Sequence, residues 1–394
     1  MKIYWITSKL NFISAGGSVE EIDFMLTTLQ KLGHDVTAFT AYSDANDITE
    51  TRPYRVISKN FKSRSLITSS RECIRLMREL ENEADVFIVD AHLFMYAAGW
   101  YRLRGGKTPV AGFVNQFLTC WPQYISSLFP REMTSILSRA KLKARWLVER
   151  IAGTWLASHV DAFAYVSPTL RRMYEDFGLP RRSADMVIGD PIDIATLRIK
   201  GNVDTSSYNK RLKKVPPLTL LFSSRMSPGK GFDMFLKGFS LVRNKKDFKV
   251  ILGGTGPEEK YVKQMTKDLK LEEFVTIPGW VSKEQLFKYY READVFIQAD
   301  WWPAGTSISL IYALAFGVPS ILPGGGGLQW NAGKGALYFP YRDAEALARC
   351  IERMTDAELR SQLSANCAAR LEEDDMNYPK LIAEFSNRLQ ALKK

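Results

Sequence analysis

Residues 218–239 read LTLLFSSRMSPGKGFDMFLKGF. An apolar run ends at Ser224, a turn rich in glycine follows, and a helix begins near Phe232. Strand, glycine turn and helix in that order make one βα unit of a parallel sheet. The turn places Arg225 and Lys230 on either side, five positions apart. At a strand end beside a helix start, two such cations suit a diphosphate, because arginine can bind it bidentately and lysine supplies a point charge. A basic loop is more ordinarily just solvated. Its position after the first strand of a series favours the clamp.

Four more strand candidates follow: FKVILGG (248–254), FVTIPG (274–279), DVFIQA (294–299) and VPSILPG (318–324). An earlier series has KIYWIT (2–7), DVTAFTA (35–41), VFIVDA (86–91), PVAGFV (109–114) and AFAYVS (162–167). Amphipathic stretches separate them, as in doubly wound α/β domains. One is SVEEIDFMLTTLQKLG (18–33), with Ser18 as the expected cap, Glu21 three residues on and Gly33 at its end. Between the two series, 195–217 is polar and basic without a clear period, the best linker candidate. Two domains also suit 394 residues.

The composition excludes several classes. The chain is 46% apolar, ordinary for a globular protein. No stretch approaches the ~20 apolar residues of a membrane span. The N-terminus reads as a first strand rather than a leader. Four cysteines without CxxC spacing and three histidines argue against a zinc site and for reduced, buried thiols. The net charge of +11 could serve nucleic acid, anionic lipid or phosphorylated substrates. No nucleic-acid-binding motif accompanies it, so nucleic acid is not an expected partner. The charge gathers in SRAKLKARWLVERIAG (138–153), after the aromatic-rich stretch 113–130. A basic helix carrying Leu142, Trp146, Leu147 and Ile151 can lie on an anionic membrane surface. The alternative is a solvated helix with one face packed on its domain.

Ligands of open parallel sheets bind beyond the carboxyl ends of the strands, where helix N-termini point. Four loops lie there. ISAGGSVEE (13–21) lets Gly16 and Gly17 pass close to a ligand, although a lone glycine pair is as readily a structural turn. The Arg225–Lys230 turn is the second. ILGGTGPEEK (251–260), with Gly253, Gly254 and Gly256, would shape the floor of the same site. In AGTSISLIYALAFG (304–317), Gly305, Thr306 and Ser307 would open a helix that stops at Gly317. Its dipole and free amides favour an anion, a phosphate, at that end.

In order and spacing, SSRMSPGKGFDMFLKGF, VILGGTGPEEKYV, VTIPGWVSKEQLFKYYREADVFI, AGTSISLIYALAFGVPSIL and GGLQWNAGKGALYF resemble the nucleotide-binding domain of the family 4 glycosyltransferases. GGSVEE with LQKLGHDVTAFT, and VIGDPIDIATL, extend the resemblance into the first half. The implied fold is α/β with GT-B architecture: two Rossmann-like doubly wound domains facing each other across a cleft. Residues 1–200 would bind the acceptor and 201–375 the nucleotide-sugar donor. A C-terminal helix at 376–394 would pack back toward the first domain. The resemblance further implies transfer of a sugar from a nucleotide diphosphate to a polysaccharide or lipid-linked glycan, with retention and without a metal. The expected place is the cytoplasm, with the basic, aromatic stretch 113–153 facing the inner face of the membrane and meeting a lipid-linked acceptor. Arg225 and Lys230 would hold the diphosphate and stabilise the departing charge. Gly16, Gly17, Gly254, Gly305, Thr306 and Ser307 would line the donor.

Two departures mark this chain. Family members usually carry two glutamates eight positions apart here; this sequence has Ala304 and Tyr312. Where the family often has a histidine near the reacting sugar, it has Asn115, beside Gln116. His92 is an alternative contact to the acceptor or a structural residue at a strand end. Three accounts fit the lost glutamates. The donor site is rebuilt, with Trp301, Trp302 or Tyr312 stacking and Asp300 supplying a carboxylate; the donor is unusual; or the chain binds without turnover, as a partner subunit.

Overall fold

The computed structural model describes residues 1–12, 17–48, 51–90, 92–115, 136–203, 213–303 and 305–393, with the backbone alone at 92, 93, 138, 139 and 142. The described chain divides into two compact units: one runs to Ile192 and takes in the segment from Asn377, and the second runs from Asp193 to Met376.

In the first unit the order is β1 (Lys2–Thr7), α1 (Ser18–Lys31), β2 (Asp35–Thr40), β3 (Arg55–Ser58), α2 (Leu66–Leu80), β4 (Val86–Asp90), α3 (His92–Leu103) and β5 (Val110–Val114). Then come α4 (Ile136–Val148), a π-helical turn (Glu149–Gly153), α5 (Thr154–Ala157), β6 (Ala162–Tyr165), α6 (Pro168–Phe177) and β7 (Met186–Val187). The seven strands are parallel, in the order β3-β2-β1-β4-β5-β6-β7. Central strands β1, β4, β5 and β6 are buried almost throughout, which is why they read as continuous apolar runs. The edges β3 and β7 escape the sequence reading: β3 is four residues with an exposed face, and β7 only two residues. Nothing apolar is demanded of such edges.

The second unit holds α7 (Ile194–Lys200), β8 (Leu218–Ser223), α8 (Phe232–Ser240), β9 (Phe248–Gly253), α9 (Glu259–Asp268), β10 (Val275–Gly279), α10 (Lys283–Glu292) and β11 (Val295–Ile297). It continues with α11 (Ile308–Ala315), β12 (Ser320–Pro323), α12 (Gly326–Ala332), β13 (Ala336–Phe339), α13 (Ala344–Arg353) and α14 (Ala357–Leu371). Six parallel strands run β10-β9-β8-β11-β12-β13. Phe222, Phe232 and Phe235 join β8 to α8, with Phe222 stacked on Phe232 at 4.2 Å.

The last helix, α15 (Tyr378–Leu392), belongs to the first unit. Ser386 Oγ meets His34 Nε2 at 2.6 Å, and Arg388 donates to the carbonyls of Ser183 and Asp185. Cys73, Cys350 and Cys367 are buried and unbridged. No helix among the described residues is long and apolar enough to cross a membrane.

Two local expectations change. Ser18 does not cap α1; Gly17 holds the cap position and no side chain caps the helix. Glu21 is therefore free of any capping-box role and turns into the fold. The expected linker also contains structure, because α7 occupies its first part; its middle, 204–212, lies outside the described residues.

Candidate active site

In the second unit, the carboxyl ends of β8, β9 and β11 meet through their loops. Ser224 N donates to Gly253 O at 3.1 Å, Met226 N to Thr255 O at 2.9 Å, and Glu258 N to Met226 O at 3.0 Å. The loops come this close because glycine stands at the crossings. A Cβ on Gly254 (φ +122°) would lie 2.0 Å from Ser224 O, and one on Gly231 (φ +79°) 1.7 Å from Ala299 O. Gly254 thus acts as a spacer between loops, with its own amide donating to Gly279 O.

This stitching brings Lys230 to Asp300. Its Nζ lies 3.1 Å from Oδ1, and Gln298 Nε2 donates to Oδ2 at 2.5 Å. The Asp300 side chain is wholly buried, whereas that of Lys230 is 33% exposed. A buried carboxylate holding one half-exposed cation fixes the ammonium's position while leaving protons directed outward. Arg225, at the other end of the turn, is exposed and has no ion-pair partner among the described residues. Asp300 therefore serves Lys230 first, rather than standing as an independent carboxylate.

The tryptophans are also committed. Trp301 Nε1 donates to Asp233 Oδ1 at 3.0 Å, tying the β11 loop to the first turn of α8, and the Arg342 guanidinium lies 5.5 Å from its ring centre. Trp302 covers Gly229 so closely that a Cβ there would stand 1.4 Å from the ring. Tyr341, whose hydroxyl donates to Gly325 O at 3.2 Å, has its pKa raised, first by burial and then by the Asp300 charge.

Ser307 holds the N-cap position of α11 without a side-chain cap bond; Thr306 and Ser307 are half-buried, and Gly305 is buried. The first amides of such a helix have no acceptor within it. Tyr312 lies on the same helix but is buried, 5.7 Å from Tyr290 and 5.9 Å from Phe287 by ring centres, with Lys283 Nζ 5.9 Å from its ring. Its ring fills an aromatic cluster between α10 and α11. Ala304 lies outside the described residues.

The first unit gathers a different chemistry at the carboxyl edge of its sheet. Asn115, just past β5, donates from Nδ2 to Glu21 Oε2 at 2.9 Å; its Oδ1 is buried with no partner among the described residues. Glu21 is buried on the first turn of α1, and burial, then the charge of buried Asp190, pushes its carboxyl well above the usual range. Asp190 follows Gly189 (φ +84°) after β7. At the end of β4, Asp90 accepts from Thr7 Oγ1 at 3.0 Å, and burial pushes its pKa up to about 7. Its Oδ1 has no partner among the described residues. Three buried acids thus crowd a sheet edge where sequence pointed to Gly16, Gly17, Asn115, Gln116 and His92. Of the signals, Glu21 resembled a capping residue, Asp190 a turn residue and Asp90 a strand end. None carries its burial in its local pattern. Gly17 lies at the start of α1; Gly16 and Gln116 fall outside the described residues, as does the side chain of His92, which opens α3. No group of three or more metal-ligating side chains occurs among the described residues.

The family model described as glycosyltransferase family 4 matches residues 15–194, and that of glycosyl transferases group 1 matches 217–357. A mannosylfructose-phosphate synthase of Agrobacterium fabrum is 30% identical over 364 residues, which are 86% of this chain and 78% of that one. WcaL of Escherichia coli, named for colanic acid biosynthesis, is 26% identical over 201 residues, covering 48% of this chain and half of its own length. In fold, HepE of Anabaena, solved in complex with UDP, superposes with a TM-score of 0.74 at 15% identity, covering 99% of this chain and 100% of HepE. Two Rossmann-like units of parallel strands are the GT-B architecture.

Proposed function

We propose that this chain, which belongs to the family 4 glycosyltransferases, moves a sugar from a nucleoside-diphosphate sugar to a polysaccharide or lipid-linked glycan acceptor, with retention. One observation carries the donor half: the Lys230 ammonium held on buried Asp300, with Arg225 at the other end of the same turn exposed and without an ion-pair partner among the described residues, at the loop edge of the second sheet. Fixed positive charge at the site of the departing diphosphate stabilises charge as it develops and needs no reorganisation. The amides opening α11 add to it. Uridine is the base we favour, by analogy with HepE and its bound UDP. Cell-surface polysaccharide is the favoured product class, by analogy with WcaL.

In the step envisaged, the bond between the anomeric carbon and the diphosphate oxygen breaks as the acceptor hydroxyl attacks from the same face. The hydroxyl proton passes to the departing phosphate oxygen. Arg225 and Lys230 take the place a metal would have, so no metal is required. Asn115, with Glu21 behind its amide, offers Oδ1 to a sugar hydroxyl of the first unit's ligand. The protein works at an anionic membrane surface, which the basic helix α4 meets.

The first test is a thermal-shift panel of UDP, GDP, ADP and CMP with their sugar conjugates, followed by turnover with the labelled sugar that shifts. Binding raises the melting temperature by mass action. A shift with one nucleoside diphosphate, and turnover, is expected. No shift with any of them sinks the donor reading. A shift without transfer to any acceptor extract would favour the binding-subunit alternative. For the membrane, the protein should float with anionic vesicles at low salt and largely come off at high salt.

A further inference from the structure

A cavity of about 420 Å³ opens in the first unit between α2, α3 and the π-helical turn after α4. Its volume falls in the roughly 300–1,000 Å³ range of small-molecule sites. Ile67, Ile74, Ala97, Trp100, Val148 and Leu156 supply its apolar wall. The one acid in the lining, Glu149, is tied down: Arg145 Nε donates to it at 2.7 Å and Tyr96 Oη at 3.1 Å. What remains open to a ligand is mostly apolar, with Ser70 and Arg71 also in the lining.

The backbone is arranged to make the space. Residues Glu149–Gly153 form a π turn, whose widened register is a frequent mark of functional positions. Two glycines let α3 and the turn approach: a Cβ on Gly99 would lie 1.9 Å from Leu156 O, and one on Gly153 2.8 Å from the Tyr96 ring. The cavity continues into an apolar surface. Of the fifteen large apolar side chains that stand exposed among the described residues, eight lie on α2, α3 and the stretch from α4 to α5. Ile67, Trp100 and Val148 belong to both cavity and surface, and Ile151 and Trp155 stand beside them at 65% and 51% exposure. A soluble protein rarely gathers apolar surface so without a use for it. The surroundings are cationic: Lys141, Lys143, Arg145 and Arg150 are exposed around the patch, and Arg71 stands in the cavity lining.

We infer that this cavity receives a hydrocarbon tail of an anionic membrane lipid, seating the first unit on the bilayer. The inference rests on the membrane reading above and deepens it. Basic side chains are drawn to an anionic surface, and tryptophans settle at the level of the head groups, which fits Trp100 and Trp155 at the rim. A protein helix is a poorer occupant. At ~10 Å diameter and ~5.4 Å pitch, about one turn would exhaust the volume, whereas an extended acyl chain threads it.

The test uses the full chain and vesicles equimolar in phosphatidylcholine and phosphatidylglycerol, with part of the phosphatidylcholine nitroxide-labelled on its acyl chain. Tryptophan quenching in the parent minus that in Trp100→Phe gives the share of Trp100. Ser70→Phe and Ala152→Phe fill the cavity from half-buried and exposed positions, so the fold is expected to tolerate them; circular dichroism melting checks that. We expect both to float at low salt as the parent does while losing at least nine-tenths of the Trp100 quenching. Floating protein with Trp100 unquenched, or cavity-filled variants quenched like the parent, overturns the lipid-tail site and leaves the electrostatic reading standing. A parent that does not float at any salt overturns both. Co-purification of a stoichiometric protein that protects Trp100 from aqueous quenchers, with no acyl quenching, assigns the surface to a protein partner and overturns the inference.

Discussion

Replacing Lys230 tests the clamp and the fold at once, because its partner is buried. Lys230→Met leaves Asp300 wholly enclosed with only Gln298 to hold its charge. Stripping a partner from a fully buried pair costs roughly 3–5 kcal/mol. Lys230 is 33% exposed, so water can enter where the ammonium stood, and about 2 kcal/mol is a better expectation. For a unit the size of 193–376 that corresponds to a fall of about 4–8 °C in melting temperature. On the proposed clamp, the same substitution would also remove a charge-assisted hydrogen bond to the diphosphate, worth about 1.5–3 kcal/mol, or roughly 10- to 150-fold in nucleotide affinity. The double variant Lys230→Met with Asp300→Asn separates the two effects. With no isolated buried charge, it should melt within about 2–4 °C of the parent, yet bind nucleotide as weakly as the single variant. Differential scanning fluorimetry with and without the nucleotide reads both quantities. A Lys230→Met protein with the parent's melting temperature and affinity would refute the reasoning. So would a double variant that regains affinity along with stability.

Three further outcomes follow from the same geometry. Asp90 should make the protein less stable as pH rises: from 3.8 toward about 7 the unfolded state gives up a proton that the native state keeps. Asp90→Asn should therefore be more stable than the parent at pH 8, by up to a few kcal/mol in chemical denaturation, and show no gain below pH 4; equal gains at both ends would refute the assignment. Gly231→Ala, meeting the Ala299 carbonyl at 1.7 Å with a positive φ, should cost about 2–4 kcal/mol. Gly253→Ala, whose Cβ would find nothing nearer than Ser223 Oγ at 3.6 Å, should cost far less; chemical denaturation compares them. With Arg225 and Lys230 supplying the positive charge as proposed, a metal chelator should leave turnover with the donor found in the panel unchanged, and an activity lost to chelation and restored by a divalent ion would overturn the proposed metal-free mechanism.

The sequence by itself determined the βα units and the loops where chemistry would lie. Strands buried on both faces must be apolar over most of their length, so β1, β4, β5 and β8 announce themselves. The turn at 224–231 needs glycine and carries its cations in plain view. Edge strands β3, β7 and β13 left no such mark, being short and half-solvated. The partners of the site residues were equally hidden. Lys230 and Asp300 are seventy positions apart in sequence, Asn115 and Glu21 ninety-four, and Thr7 and Asp90 eighty-three. Whether a carboxylate is a solvated surface group, a pinned counter-ion or a proton-holding buried acid depends on water exclusion and on neighbours. Only packing the strands side by side supplies those. Tyr312 shows the same limit: one helix turn reads alike whether its ring faces a ligand or an aromatic core, and the fold decided for the core. The cavity beside the π turn exists only where the neighbouring helices α2 and α3 meet the Glu149–Gly153 turn from much further along the chain.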